Sequence, residues 1–313
     1  MAEASFVAGD WGTSHLRLFL CDAQGESLDS ATGPGAAEVA GNFADTFDSL
    51  TVRWQRDHAL PTVLCGMVGS SIGWTQTGYV ACPAQPAQIA SACVALRDGR
   101  IHIVPGLSCR NRLRAPDVLR GEETQILGAV QLQPQLRAGR HLLCLPGTHT
   151  KWVVLEDGSV TEFLTAPTGE LFSMIRDHSV LVADRAGTGA LPSGAGFDQG
   201  LAESARFPHA QLLHRLFECR SRRLTGDLQA EAAAGYLSGL LIASDVRGAV
   251  ELLGGATASA INLIGARALT SLYAKALTLV SRDARTIDGD VASLAGLTHL
   301  HRLLSREVPA HAQ

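Results

Sequence analysis

The chain has 313 residues, of which 46% are hydrophobic and 18% are charged, a composition typical of a globular protein long enough for two domains. The net charge of -4 provides no broad positive surface for nucleic acid, and no apolar run approaches the roughly twenty residues of a membrane helix. Seven scattered cysteines without a C-x-x-C pair indicate neither a disulfide framework nor a zinc site. We therefore expect a cytoplasmic protein with no nucleic-acid or membrane partner.

The first half of the chain is predicted to fold as β, β, β, α, β, α, β, α. Phe6–Gly9 is a short buried run, the residues from 16 to 21 alternate in polarity, and a third short strand is expected near 27–32. Apolar residues between 39 and 54 recur at spacings of three and four, as in an amphipathic helix. Further strands are predicted at 62–65 and 101–104, followed by a helix at 122–132.

The second half begins with the same pattern, in the stretch HLLCLPGTHTKWVVLEDGSVTEFL. Aligning Gly12 with Gly147 also aligns Thr13 with Thr148, which indicates an internal repeat about 135 residues apart. The repeat predicts two similar α/β domains, 1–138 and 139–313, with an insertion near 184–227. The remaining predicted elements are a helix at 229–245, a strand at 260–264, a helix around 269–277, a strand at 285–287 and a last helix from 291.

A Gly-Thr turn between two strands can carry chemistry, because small residues let a phosphate approach the backbone N–H groups. One such turn is usually only a hairpin, but two of them, facing each other across a cleft, could hold a nucleotide's phosphates from both sides. Asp10 ends the first strand and would bind Mg²⁺, whereas its aligned partner in the repeat is Leu145. Lys151 is either a solvent-facing strand residue or a donor to phosphate.

Three acids stand at the entry to the helix that begins near residue 122: Asp117, Glu122 and Glu123. They either complement the helix dipole, or one of them orients a hydroxyl and accepts its proton. The loop Gly66–Ala84 contains Ser70, Trp74 and Tyr79, and it is either a long ordered loop or a site for a small polyol.

The ordered strings DWGTS, CGMVGS, RGEETQ, LPGTHTKWV and PTGELF resemble the 2-dehydro-3-deoxygalactonokinase family, over nearly the whole chain. The two predicted domains also resemble those of the actin, hexokinase and Hsp70 ATPase superfamily, within which this family falls. The resemblance implies a ribonuclease H-like fold with duplicated βββαβαβα domains around a nucleotide cleft. It also implies ATP and Mg²⁺ as cofactors, and phosphorylation of the C6 hydroxyl of 2-dehydro-3-deoxy-D-galactonate.

The resemblance also implies roles for single residues. The nucleotide-binding residues would be Gly12, Thr13, Ser14, Gly147, Thr148, Thr150, Lys151 and Gly265, with Gly265 on the adenosine side. Asp10 would be catalytic and hold the metal. A Glu pair that handles water in related phosphatases favours Glu122 and Glu123 over Asp117 as the base. Ser70, Trp74 and Arg120 would bind substrate, with Arg120 or Lys151 as the partner of its carboxylate.

Other functions stay open on the sequence. A phosphohydrolase of the same superfamily would use the same turns and Glu pair for an attacking water. A kinase for a related sugar acid, such as 2-dehydro-3-deoxygluconate, differs only in stereochemistry that the motifs do not read. A non-enzymatic sugar sensor is less expected, because the first strand begins by Phe6 and leaves no room for a DNA-binding segment before it. The sequence leaves open whether the protein is a homo-oligomer.

Overall fold

The structure is a computed structural model that describes residues 3–39, 41–54, 59–182, 194–254 and 260–307. The chain divides into two compact units. The first unit contains residues 1–140, 154–163 and 287–313, and the second contains 141–153 and 164–286. The end of the chain therefore groups with its beginning, although the sequence places the two far apart. The domain boundary predicted between residues 138 and 139 remains a prediction.

The first unit is built on a six-stranded sheet with the strand order β3-β2-β1-β4-β7-β6. The first three strands form an antiparallel meander, and β4 and β7 then add in parallel to β1. Every residue of β4 is buried, as expected for a strand covered on both faces. The strands of this sheet are β1 (Phe6–Trp11), β2 (His15–Cys21), β3 (Ser27–Pro34), β4 (Thr62–Gly66), β6 (Val94–Leu96) and β7 (Ile101–Ile103).

A smaller sheet and several helices complete the first unit. Its three strands are β5 (Tyr79–Ala81), β8 (Gly106–Arg110) and β9 (Pro116–Leu119), in the order β5-β8-β9. This sheet includes part of the stretch that the sequence analysis treated as one long loop. The helices are α1 (Ala36–Val39), α2 (Phe43–Thr51), α3 (Pro86–Ser91), α4 (Glu122–Leu132) and α11 (Gly289–Glu307).

The single amphipathic helix predicted between 39 and 54 is two short helices, because α1 ends at Val39 and α2 begins only at Phe43. Both still bury their apolar residues in the core beside the sheet, which explains why the helical spacing ran through the break. Glycine brings two other helices together. A Cβ at Gly128 of α4 would lie 1.8 Å from the Ala292 carbonyl oxygen of α11, so the backbones of these helices touch.

The second sheet has five strands in the order β12-β11-β10-β13-β14. They are β10 (Arg140–Leu145), β11 (Thr150–Glu156), β12 (Ser159–Ala166), β13 (Ile261–Gly265) and β14 (Ala284–Asp288). This order repeats β3-β2-β1-β4-β7 of the first sheet, with β13 parallel to β10 just as β4 is parallel to β1. The internal repeat predicted from the Gly-Thr turns is therefore a repeat of strand topology.

The helices of the second unit are α5 (Thr168–His178), α6 (Ala195–Arg206), α7 (Leu212–Arg215), α8 (Glu218–Thr225), α9 (Ala233–Leu253) and α10 (Arg267–Leu277). Helix α9 continues eight residues beyond the predicted end at 245, and its added turns bury Val246, Ala249 and Leu253. Within the predicted insertion, residues 194–227 carry α6, α7 and α8, and residues 184–193 lie outside the described residues. Nowhere in the described part of the chain is a helix both long enough and apolar enough to cross a membrane.

Candidate active site

The first Gly-Thr turn joins β1 to β2 and is fixed by backbone hydrogen bonds. The N–H of Gly12 donates to the His15 carbonyl at 2.9 Å, and the carbonyls of Gly12 and Thr13 accept from the first two amides of α1. The side chains of Thr13 and Ser14 are exposed. The turn therefore has a fixed backbone and presents small hydroxyl side chains to solvent, as the phosphate-binding prediction for Gly12, Thr13 and Ser14 requires.

Asp10 lies beside this turn and is held by a cation. Arg17 stands opposite Asp10 in the β1–β2 pairing, and its Nη2 donates to Asp10 Oδ2 at 2.8 Å. The same oxygen accepts a longer hydrogen bond, 3.4 Å, from the hydroxyl of Ser293 at the start of α11. Arg17 also pairs with Asp290 of α11. The carboxylate of Asp10 is 15% exposed, so its charge is partly compensated and one edge remains accessible.

Gly66 leaves space beside the carboxylate of Asp10, because it has no side chain. Its backbone has φ +92°, which L side chains rarely adopt. A Cβ at this position would lie 2.7 Å from the Trp11 carbonyl oxygen and 3.4 Å from Asp10 Oδ1. A Cβ at Gly121, before α4, would lie 3.5 Å from the Gly66 Cα. The backbone at the end of β4 therefore lies between Asp10 and the start of α4, with no side chain of its own at Gly66.

Glu123 is fully buried in the first turn of α4. Its Oε2 accepts the Gly121 N–H at 2.6 Å, and its Oε1 accepts the Thr124 hydroxyl at 3.1 Å. Burial, and then the nearby Glu122 carboxylate, raise the pKa of Glu123 to about 8. The charges of Asp10 and Glu123 both add to burial in raising the pKa of the Cys65 thiol. The two acids are thus within electrostatic range of one buried thiol.

The other two candidate bases differ in exposure and partners. Glu122 is half-buried, and its Oε2 accepts the Arg120 backbone N–H at 3.0 Å. Asp117 lies on β9, where its carboxylate accepts from Asn111 Nδ2 at 3.1 Å and from the Val118 N–H at 2.9 Å. Glu122 shares the helix terminus with Glu123, whereas Asp117 belongs to the small sheet.

Arg120 lies over the ring of Tyr79, with the guanidinium carbon 4.7 Å from the ring centroid. Its Nη2 donates to the carbonyls of Thr77 and Gly78, and its Nη1 donates to the Thr77 hydroxyl. The Arg120 Nε is buried and makes no hydrogen bond. No ion pair between Arg120 and a carboxylate is found in the described parts of the chain. The side chain therefore holds a positive charge against an aromatic face and backbone dipoles.

The two other predicted substrate-binding residues have internal contacts. Ser70 Oγ donates to the Met67 carbonyl at 2.8 Å and so closes a short turn after β4. Trp74 packs edge-on against Trp11, at 6.5 Å between ring centroids, and lies under the Arg97 guanidinium. The structure thus places Trp74 against the core of the first unit, and its role in substrate binding remains a prediction.

The second Gly-Thr turn lies at the edge of a pocket of about 270 Å³ in the second unit. Gly147 and Thr148 form part of its wall beside Thr168 and Gly169, the first residues of α5. A Cβ at Gly169 would lie 2.4 Å from the Gly147 carbonyl oxygen, and the Glu170 N–H donates to the Thr148 carbonyl at 2.9 Å. The turn and the N-terminus of α5 are therefore in direct backbone contact.

The rest of the pocket is mainly apolar, with a few polar groups. It is lined by residues of α5, α9 and α10, namely Phe172, Ser173, Arg176, Ser238, Leu241, Ile242, Leu269 and Tyr273. An apolar wall with few polar groups is typical of small-molecule sites. The sequence analysis gave none of these eight residues an individual binding role, although Phe172 lies in the string PTGELF and Leu269 and Tyr273 lie in the helix predicted around 269–277. Their spacing along three separate helices does not differ from that of ordinary core positions.

Asp245 is a half-buried acid beside this pocket that the sequence analysis did not identify as a site residue. Its Oδ1 accepts from Trp152 Nε1 at 2.8 Å, and its Oδ2 accepts from the hydroxyls of Thr168 and Tyr273, each at 2.7 Å. Burial raises the pKa of Asp245, while these donors and Thr150 act in the opposite direction. The available signal was one acid inside the apolar run GLLIASDV, which ends α9's most buried stretch.

The remaining predicted nucleotide-binding residues lie around the turn. The hydroxyl of Thr150 is buried, 2.8 Å from Tyr273 Oη. Lys151 points to the opposite face of β11 by strand alternation, and its ammonium donates to Thr165 Oγ1 at 2.9 Å. Gly265 ends β13 with φ +148°, next to the Pro146 carbonyl that precedes the turn. Thr150, Lys151 and Gly265 do not line the pocket.

Comparison with known proteins connects these features to a family. The profile of the 2-keto-3-deoxy-galactonokinase family matches residues 10–300. A protein of Rhizobium meliloti, named a probable 2-dehydro-3-deoxygalactonokinase, is 38% identical over 96% of this chain and 97% of its own. The 2-dehydro-3-deoxygalactonokinase of Escherichia coli is 33% identical over 94% of this chain and 96% of its own.

Solved structures agree. A Sinorhizobium meliloti structure assigned to the 2-dehydro-3-deoxygalactonokinases has a TM-score of 0.83 and 36% identity, covering 95% of this chain and 98% of its own. A dehydratase activator from Clostridium difficile, solved with ADPNP, shares the fold alone, with a TM-score of 0.52, 12% identity and coverage of 98% and 99%. The actin-like ATPase fold predicted from the sequence is confirmed. The chain belongs to the 2-keto-3-deoxy-galactonokinase family.

Proposed function

We propose that this protein is an ATP-dependent kinase that phosphorylates the C6 hydroxyl of 2-dehydro-3-deoxy-D-galactonate in galactonate catabolism. The product is 2-dehydro-3-deoxy-6-phospho-D-galactonate. The family match carries the proposal, since it extends from Asp10 to residue 300 and so includes both Gly-Thr turns and the acids of α4. Two relatives named for this activity align with more than nine-tenths of the chain.

The pocket of the second unit would take the nucleotide. Its apolar wall suits a base, while the Gly147–Thr148 turn and the adjoining N-terminus of α5 offer backbone N–H groups to phosphate oxygens. Helix α5 has eleven residues, enough for the partial positive charge of its N-terminus to matter. Within this assignment Thr148 and Gly169 approach the phosphates, whereas Lys151, which bonds to Thr165 and does not line the pocket, remains a predicted nucleotide contact only.

In the first unit, Glu122 is the acid that we propose as the proton acceptor for the C6 hydroxyl. Glu123 has no exposed surface, and its raised pKa leaves it largely protonated at neutral pH. Glu122 is half-buried beside it and can contact a substrate. Glu123 would then keep the α4 terminus in place through Gly121 and Thr124. Asp117 remains the alternative base.

Arg120 is proposed as the partner of the substrate carboxylate. Its guanidinium has an unused Nε–H donor and no ion-pair partner among the residues that the structure describes. A planar guanidinium fits a carboxylate in a two-point contact better than an ammonium does. Lys151 fits this role less well, because its side chain is buried whereas Arg120 is half-buried.

Asp10 would hold Mg²⁺ with ATP. The described residues contain no cluster of three or more Asp, Glu, His or Cys side chains suited to a metal. A single carboxylate fits Mg²⁺, which usually keeps several waters and binds proteins through one or two carboxylates together with substrate phosphates. Asp10 Oδ2 is taken up by Arg17 and Ser293, so Oδ1 would face the ion or one of its waters. The ion would neutralise charge on the transferred group.

The remaining parts of the proposal concern the whole molecule. We place the protein in the cytoplasm, acting on a small sugar acid without nucleic acid. Closure of the two predicted domains around the substrates is the expected conformational step. Light scattering after gel filtration would decide between a monomer and a homo-oligomer.

The activity is tested by coupling ADP release to NADH oxidation with a panel of acceptors. We expect turnover with 2-dehydro-3-deoxy-D-galactonate and a lower kcat/KM with its C4 epimer, 2-dehydro-3-deoxy-D-gluconate. A higher kcat/KM with the epimer would contradict the substrate assignment. Phosphate release from ATP at the same rate with and without an acceptor would favour the phosphohydrolase instead.

A further inference from the structure

Asp245 joins elements that are separate in sequence. Its carboxylate, on α9, accepts hydrogen bonds from β11 through Trp152, from α5 through Thr168 and from α10 through Tyr273. All these bonds are 2.7–2.8 Å long, and Thr168 and Tyr273 line the pocket. The carboxylate therefore holds the side chains of Thr168 and Tyr273, which belong to the pocket wall, in fixed positions.

The connection continues from Thr168 to the second Gly-Thr turn. Gly169, the next residue, contacts the Gly147 carbonyl so closely that no Cβ would fit there. The Glu170 N–H then donates to the Thr148 carbonyl at 2.9 Å. Any movement of the α5 terminus would therefore move the turn. Asp245 is bonded to the residue that begins this helix, whereas the turn itself makes no described hydrogen bond to Asp245.

Tyr273 provides the second arm of the same network. Its hydroxyl bonds to Asp245 and lies 2.8 Å from the Thr150 hydroxyl on β11, while its ring faces the pocket. Both arms end on the same carboxylate oxygen, Oδ2, while Oδ1 accepts from Trp152, and an apolar side chain of the same size would supply no acceptor. Three donors around this half-buried carboxylate also satisfy it without a cation.

We propose that Asp245 is a positioning residue for nucleotide binding: it sets the distance between the Gly147–Thr148 turn and the Tyr273 ring without touching the nucleotide. This inference rests on the proposed function, because it takes the pocket as the nucleotide site. A residue that only stabilises the fold would lower the apparent kcat through the amount of folded protein and leave KM and Kd unchanged. A positioning residue changes nucleotide affinity in the folded protein and leaves acceptor binding unchanged.

The test compares Asp245→Asn with Tyr273→Phe. Asn keeps the shape of the side chain but turns one acceptor into a donor, while Phe keeps the pocket-facing ring and removes only the hydroxyl that bonds to Asp245. We expect Asp245→Asn to raise the KM for ATP, and the Kd of a non-hydrolysable ATP analogue, about tenfold, with kcat and the acceptor KM within about twofold. Tyr273→Phe should raise the same two constants by a smaller factor.

The double variant shows whether the two residues act as one unit. If the Tyr273 hydroxyl works through Asp245, the double variant binds the analogue about as weakly as Asp245→Asn alone. If the change of the analogue Kd in the double variant instead equals the product of the two single changes, the residues act independently and the proposed network is wrong. If Asp245→Asn does not fold, the Thr168→Val variant, which removes another donor to the same carboxylate, is compared with Tyr273→Phe in the same way.

Glu218→Gln is the matched control. Glu218 lies in the same unit and accepts from Tyr236 and Arg215, and none of these residues lines the pocket. This variant should lose thermal stability while its analogue Kd stays at the wild-type value. An equal rise of the Kd in Glu218→Gln would overturn the positioning role, as would an unchanged Kd in Asp245→Asn.

The binding measurement needs no acceptor, so it separates the two proposals. If the wild type binds the analogue but phosphorylates a different acceptor, the proposed substrate is wrong and the Asp245 comparison still stands. A wild type that does not bind the analogue would overturn both.

Discussion

The two Gly-Thr turns occupy equivalent places in the repeated strand topology, but their surroundings differ. At the first turn the preceding strand carries Asp10 one residue before its end, and this acid is paired with Arg17. The acids of α4 follow, beyond Gly66 and Gly121. At the second turn the equivalent strand position is Leu145, 3% exposed, and the turn adjoins an apolar pocket. Both turns also contact the N-terminus of a following helix, α1 in one case and α5 in the other.

This difference in surroundings indicates that the two copies of the turn have different tasks. The second copy has the same kind of turn beside the apolar wall of a pocket, and its half-buried acid Asp245 accepts three hydrogen bonds. The first copy retains acids whose partners leave an open edge, as at Asp10, or a half-buried carboxylate, as at Glu122. We infer that the first copy acts mainly on kcat and the second mainly on nucleotide affinity. The following variants test this division.

Asp10→Asn should produce the largest effect. It keeps the size of the side chain and the hydrogen bond from Arg17, but removes the charge that would attract the metal. We expect kcat to fall at least about a thousandfold, with the fold intact by circular dichroism. Asp29→Asn on β3 is the matched control, because Asp29 forms an exposed ion pair with Arg53 in the same unit and should keep wild-type kcat. A wild-type rate in Asp10→Asn would remove Asp10 from the mechanism.

Glu122→Gln should lower kcat about a hundredfold, because it removes the proposed proton acceptor for the C6 hydroxyl. Glu123→Gln should lower it far less, since the buried acid is already largely protonated near neutral pH. Steady-state kinetics with saturating ATP measures both variants. The reverse order of the two effects would identify Glu123 as the base, and a loss only in Asp117→Asn would identify Asp117.

Gly169→Ala tests the second turn. The new methyl group would lie 2.4 Å from the Gly147 carbonyl oxygen, so the backbone of the turn has to move. We expect the KM for ATP to rise about tenfold with a smaller change in kcat. Gly248→Ala on α9 is the control, because a Cβ there meets no atom within 4 Å. A fall in kcat at unchanged ATP KM would contradict the division between the turns.

Glu123→Gln should also change how stability depends on pH. The pKa of Glu123 is about 8 in the folded protein against 4.5 for the free group, so the folded state binds this proton more tightly. The stability that this proton contributes is complete below about pH 4.5 and is lost as the pH rises through about 8. Gln resembles the protonated acid and lacks this loss. Its Tm should exceed that of the wild type by about 4 °C at about pH 9.

The comparison at low pH completes this last prediction. At about pH 5 Glu123 is protonated in the folded wild type, so the two proteins should melt within about a degree of each other. A Tm difference that is the same at both pH values would mean that the pKa of Glu123 is not raised in the folded protein.

Local patterns predicted the fold well where a strand and its turn carry their own signal. The alternation in β2 and the buried run of β4 followed from the sequence, because each depends on which faces of one strand are covered. The small sheet of β5, β8 and β9 was missed, since its strands have only three to five residues. Short strands leave too few positions for a period to be read.

The candidate site was predicted only in part, for a related reason. Asp10, the two Gly-Thr turns and the acids of α4 could be found, because small residues and acids at strand and helix ends are visible as motifs. The pocket wall and Asp245 could not, since Trp152, Thr168 and Tyr273 are 93, 77 and 28 positions from the acid they bond. Trp74, predicted as a substrate contact, packs its ring against Trp11, and its role in substrate binding stays a prediction.

The sequence by itself determined the duplicated strand pattern, the two turns and the family, because these depend on residue order within short segments. Tertiary structure alone decided which acids are partly exposed, as Asp10 and Glu122 are, and which is buried, as Glu123 is. Glu123 is buried because α4 and α11 pack backbone to backbone at Gly128, and Arg17 meets Asp290 across 273 positions of chain. The charge state of an acid depends on what surrounds it, and those neighbours come from segments that only the folded chain brings together.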